Sequence, residues 1–219
     1  MATTLDHLVL VTSDLEAGMR ELARRTGVEP VLGGSHPGLG TRNALLGLSW
    51  GGQRRCYLEL LAPDPSQGEV PSDRTMLDLG ARLREGLGET VRPHTWVVRP
   101  DDLDATLAAA TGAGVEVGEV VEAARTRPDG TVLRWRLAVP RPLGLGGVQP
   151  SLIDWGPVGH PSDTAGPVVE LEDLVLEHPD PARARRVLDI LGVDHHVGPG
   201  GEARLTFVLR TPRGRIVLR

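Results

Sequence analysis

The chain has 219 residues, 40% hydrophobic and 24% charged, with a formal net charge of −5; such a chain is an ordinary globular protein with enough length for a sizeable core. It has no basic patch suited to nucleic acid, no apolar run long enough to span a membrane and no leader-like start, and its lone Cys56 cannot form an internal disulfide, so a cytoplasmic protein is expected. All 24 basic residues are Arg, which removes Schiff-base and phosphate-loop lysine chemistry but keeps bidentate binding of carboxylates or phosphates.

Residues 5–12 alternate as a strand, and Ser13-x-x-Glu16 reads as a capping box opening a helix with the stripe Leu15, Met19, Leu22, Ala23 and a stop at Gly27. Extended segments are expected near 29–36, 42–50 and 54–62. Residues 63–92, with three prolines and a helical Met76-Leu77-x-Leu79-x-x-x-Leu83, read as a connector. The order then repeats: a strand over 94–99, a helix capped by Asp101 with the stripe Leu103, Leu107, Ala110, and strands near 115–125, 131–139 and 150–155. A third copy follows the Pro/Gly stretch 156–167. It has an extended 168–177, an Asp180-Pro181 helix start, and strands near 194–198, 203–211 and 214–218.

The copies share a register. His7 has Asp14 seven residues on and Gly27-Val28 at twenty; His94 has Asp101 and Gly114-Val115 at the same offsets; the third copy carries Asp173 there. Stacked repeats bring equivalent positions together, so His7 and His94 could converge on one site. Alternation puts Leu5, His7, Val9 and Val11 on one face of the first strand. Glu59 stands mid-strand with Tyr57 and Leu61 on its side, where a carboxylate is costly unless paired, hydrogen-bonded or metal-bound. Asp154 holds the matching place in the second copy, although a one-residue slip would turn Ile153 inward instead.

The βαβββ order, the opening Leu-Asp-His-Leu and the strand Tyr57-Leu-Glu-Leu-Leu-Ala-Pro63 resemble the vicinal oxygen chelate superfamily of glyoxalases, extradiol dioxygenases and bleomycin-resistance proteins. Gly33-Gly34-Ser35-His36, Gly40-Thr41-Arg42-Asn43, Ile153-Asp154-Trp155-Gly156 and His160-Pro161-Ser162 resemble, more narrowly, its glyoxalase-like domain proteins. The resemblance implies an α+β fold of repeated βαβββ units forming cupped mixed sheets. The units would be 1–62 and 93–165, joined by connector 63–92 into one glyoxalase-like domain, with 166–219 as a third, abbreviated unit.

It also implies a divalent metal, Zn, Ni, Mn or Fe(II), held by His7, Glu59 and His94, with Glu59 or Asp154 moving a proton. His36, Asn43, Trp96 and Trp155 would contact the substrate. The expected function is a metal-dependent lyase, isomerase or dioxygenase acting on a small oxygen-rich molecule. A metal-free binding protein of the antibiotic-resistance type is the alternative. Plainer readings pair Glu59 with Arg54, Arg55 or a remote Arg, and make His36 and Asn43 turn residues. No organic cofactor, nucleic acid or membrane partner is expected. The sheet edge of the third copy is expected either to pack within the chain or to pair in a symmetric homodimer.

Overall fold

A computed structural model describes residues 3–51, 53–88, 90–127, 129–157, 160–163 and 165–219, and only the backbone of residues 53–55. Pairing of Glu59 with Arg54 or Arg55 therefore lies outside the described residues. The first run is β1 (Thr3–Val11), α1 (Leu15–Thr26), β2 (Val31–His36), β3 (Thr41–Trp50) and β4 (Gln53–Pro63). The connector contributes two 3₁₀ turns and α2 (Leu79–Arg84). The second run is β5 (Arg92–Pro100), α3 (Leu103–Gly112), β6 (Val120–Thr126), β7 (Val132–Ala138) and β8 (Ser151–Asp154). The third is β9 (Val168–His178), α4 (Pro181–Ile190), β10 (Val197–Pro199), β11 (Arg204–Thr211) and β12 (Gly214–Leu218). No helix is long and apolar enough to cross a membrane among the described residues.

Two helix starts fall one residue later than the sequence suggests. Asp14, not Ser13, accepts from the Ala17 amide, and Asp102, not Asp101, accepts from that of Ala105. The first helical residues, Leu15 and Leu103, are buried. Their anchoring in the core sets the start, and the residue just before each becomes the cap. Asp180 caps α4 and Gly27 closes α1 at φ 76°, both as expected.

In each of the first two runs the last strand lies parallel to the first, β4 beside β1 and β8 beside β5. Antiparallel pairing of β1 with β5, and of β2 with β6 at Ser35–Thr126, closes the ring β1-β4-β3-β2-β6-β7-β8-β5. Eight strands leave an interior that side chains fill. Residues 168–218 repeat the element order but pair differently: β9 lies between β10 and β11, and β12 lies outside β11. The third sheet joins β3 within the chain, through β9 at Gly47–Val168. A Cβ on Gly47 would stand 3.1 Å from the Pro167 carbonyl oxygen, so the missing side chain permits that approach.

Strand alternation divides the apolar residues into two cores. Leu8, Leu10, Leu58, Leu60 and Trp96 face outward from the ring and pack under α1, α3 and the third sheet, with Phe207 and Leu174. Val9, Val11, Leu61, Val97, Trp135 and Ile153 face inward, where Met76, Leu77 and Leu79 of the connector pack against them. The cup is thus roofed by the connector.

Candidate active site

The site is built on a bulge in β1. Leu5 lies opposite Val98 and His7 opposite Val97, so Asp6 is the extra residue. A bulge breaks strict alternation, and the Asp6 carboxylate joins His7. His7 Nδ1 donates to Asp6 Oδ1 at 2.7 Å, while His7 Nε2 stands 3.4 Å from Glu59 Oε2 on β4. Asp6 Oδ2 also accepts from Trp155 Nε1 at 3.0 Å and from His160 Nε2 at 2.9 Å. Tyr57 stacks on His7 with ring centroids 4.5 Å apart.

Glu59 is 4% exposed and takes a short hydrogen bond from Asn43 Nδ2. That amide also reaches His36 Nε2 at 3.4 Å, while His36 Nδ1 lies 2.9 Å from Thr41 Oγ1. These contacts are consistent with a neutral His36 carrying its proton on Nδ1. Burial pushes the His36 pKa down to about 4. Burial would lower that of His7 too, but its bonds to Asp6 and Glu59 prevail and hold it near 9. Burial alone would raise Glu59; the charge and hydrogen bond of His7, with help from His36 and Asn43, bring it to about 2. The cup therefore contains a carboxylate–imidazolium–carboxylate series inside an apolar shell.

Arg125 enters from β6 and is 3% exposed. The Gly33-Gly34 pair makes room for it. A Cβ on Gly34 would lie 1.8 Å from the Thr126 carbonyl oxygen; one on Gly33 would lie 2.2 Å from Asn43 Oδ1 and 3.0 Å from Arg125 Nη1. Trp135 and Trp155, 4.9 Å apart, and Met76 and Leu77 of the connector complete the walls. The space between these walls is about 20 Å³, room for a single water molecule.

Of the residues singled out from sequence, His7, Glu59, His36, Asn43 and Trp155 line this space. Three lie elsewhere. His94 falls between Thr95, opposite Val9, and Pro93, opposite Leu10. This second bulge breaks the repeat symmetry, and Nε2 donates to the Leu77 carbonyl at 2.8 Å, tying down the connector. Burial pushes the His94 pKa down to about 4, against that hydrogen bond. Asp154 points outward, caps the Gly156 amide and stands 3.7 Å from Arg136, because the register turns Ile153 inward. Trp96 lies in the outer core and donates to the Val148 carbonyl at 2.8 Å. Sequence reasoning missed Asp6, hidden by its bulge, and Arg125, which carries no motif.

The expected metal triad is not assembled. His94 is committed to the connector, and both His7 nitrogens face carboxylates. Among the described residues no group of three or more His, Cys, Asp or Glu is arranged to hold a metal ion. The donor set as placed does not fit one.

A family model described as "Glyoxalase-like domain" matches residues 5–192. A hypothetical protein from Staphylococcus aureus is 12% identical, with 99% of each chain covered and a TM-score of 0.70. A methylmalonyl-CoA epimerase, solved with methylmalonyl-CoA and NH4+, is 22% identical, covers 74% of this chain and 100% of its own, and has a TM-score of 0.50. Both likenesses concern the fold. No curated protein sequence matches the chain.

Proposed function

Because this chain belongs to the glyoxalase-like domain family of the vicinal oxygen chelate superfamily, we propose that its cup is an acid–base centre of the isomerase or lyase type. It would move a proton on the carbon beside a carbonyl of a small oxygen-rich molecule. The carrying observation is the buried Asp6–His7–Glu59 series. A substrate oxygen that takes over the His7 Nε2–H releases Glu59 from the partner that most depresses its basicity. Glu59 then takes the proton: the C–H bond breaks, an O–H bond forms on the carboxyl, and the electron pair moves to the substrate oxygen as an enolate. The His7 imidazolium, still anchored by Asp6, faces that new negative charge. Return of the proton completes an isomerisation. The division into units 1–62 and 93–165 around connector 63–92, with 166–219 outside the cup, belongs to this proposal.

Proton exchange tests it. Pyruvate, lactate and dihydroxyacetone in D2O are expected to show protein-accelerated exchange of the C–H beside the carbonyl, which in lactate is the C2–H, for at least one probe. Glu59→Gln should slow it by about 10²–10⁴-fold, the usual contribution of a general base. Equal exchange in the two proteins, or none with any probe, removes the proposal.

The Trp135–Trp155 wall and the roofed cup also suit a second reading, a metal-free binder. Tryptophan quenching by a probe without exchange would support it.

A further inference from the structure

Inside the cup, Arg125 has hydrogen-bonding capacity that its surroundings leave unused. Among the described residues its side chain forms no hydrogen bond and no ion pair, and its buried Nε has no partner. The carboxylates nearby are engaged already, Asp6 by three donors and Glu59 by His7 and Asn43. A guanidinium taken out of water without directional partners is costly. Asn43 presents a second unfilled group, its Oδ1, which is buried and also unpartnered. Both groups pack against Gly33, whose missing side chain lets them approach: a Cβ there would lie 2.2 Å from Asn43 Oδ1 and 3.0 Å from Arg125 Nη1.

We infer that Arg125 and Asn43 form the seat of a small monocarboxylate bearing a hydroxyl on the neighbouring carbon. The planar fork of Arg125 matches a carboxylate in two parallel hydrogen bonds. Asn43 Oδ1 accepts the hydroxyl proton. The guanidinium offsets the net negative charge of the Asp6–His7–Glu59 series, so the two charges of a phosphate dianion would be opposed by the Glu59 carboxylate more strongly than the single charge of a monocarboxylate. The space of about 20 Å³ between these walls admits only a water, so binding requires Met76 and Leu77 to withdraw from the roof. The seat adds a substrate class to the acid–base reading and rests on it for the role of Glu59, but binding itself does not need proton transfer.

Tryptophan fluorescence and melting with lactate, its neutral amide lactamide and inorganic phosphate test the seat. Lactate is expected to quench the wild type and raise its melting temperature; lactamide should bind at least tenfold more weakly, and phosphate should not compete. Arg125→Met should weaken lactate on the order of 10²-fold, the usual consequence of deleting one partner of a buried charge pair. Without ligand it should melt no lower than the wild type, since an unpaired charge has been removed. Arg125→Lys should retain part of the affinity.

Equal binding of lactamide, competition by phosphate, absence of lactate binding, or a marked loss of unliganded stability in Arg125→Met would each overturn the seat. Glu59→Gln separates the two claims. Lactate bound by this variant and by the wild type, with no exchange in either, defeats only the acid–base reading. Lactate exchange that survives Arg125→Met undiminished defeats only the seat.

Discussion

Asp6→Ala is expected to destabilise the protein by about 3–5 kcal/mol, the usual cost of removing one partner from a buried ion pair. Asp6 is 1% exposed and accepts from His7, Trp155 and His160. The substitution leaves one imidazolium with half its counter-charge and strands the Trp155 donor. It also unties the segment around His160 from β1. Urea unfolding of the two proteins measures the difference; a loss below about 1 kcal/mol, the size of an ordinary surface ion pair, would mean the series contributes little. The His7 pKa, held up to about 9, should fall in the variant, which an NMR titration reads directly.

The same groups set the pH dependence. His7 has its pKa raised from 6.5 to about 9, so its contribution is complete below pH 6.5 and fades as pH rises through 9. His36 and His94 are buried neutral with pKa values near 4, so each costs stability as pH falls from 6.5 toward 4. Glu59, depressed from 4.5 to about 2, adds a further loss on the acid side below pH 4.5. Thermal melts between pH 4 and 10 should therefore peak near 6.5. His7→Gln should flatten the alkaline limb. A wild-type maximum above pH 8 would contradict the charge states assigned to the cup.

Phe207→Ala is expected to cost about 3–5 kcal/mol, as large-to-small changes in close-packed cores do. For a chain of this length that lowers the melting temperature by about 6–20 °C. Phe207 is fully buried on β11, between Leu174 and Leu218. Its cluster continues through Leu174 and Leu176 to Leu8, Leu58 and Trp96 under the ring. Because that core runs without a break from the third sheet to the outside of the cup, the variant should still unfold in one step. Far-ultraviolet and tryptophan near-ultraviolet signals should move together. Two separated transitions, with the cup melting at its original temperature, would show that the third sheet is an independent layer.

Local periodicity made the elements readable, because a side chain every second residue on one face, or every 3.6, leaves its mark on the chain itself. It put His7 and Glu59 on inward faces, since β1 from His7 onward and β4 keep alternation, whereas the bulge at Asp6 sends Leu5, counted on the same face as His7, to the outer core. It could not foresee Asp6 or His94. A bulge adds one residue on one strand for reasons held in the partner strand, and each turned a side chain away from where counting put it. Asp154 failed through a single-residue register choice, with Ile153 taking the inward position because an apolar side chain suits that interior better.

From its residues alone this chain determined the three βαβββ-ordered runs, the α+β class and a buried His–carboxylate pair, for these rest on patterns between near neighbours. Folding decided the ring closure through β1–β5 and β2–β6, the different strand order of the third sheet, and the connector roof held by His94. It also brought Arg125, from a strand with no recognisable motif, against the Gly33-Gly34 backbone. Those are contacts between segments far apart in the chain, and no local pattern specifies them.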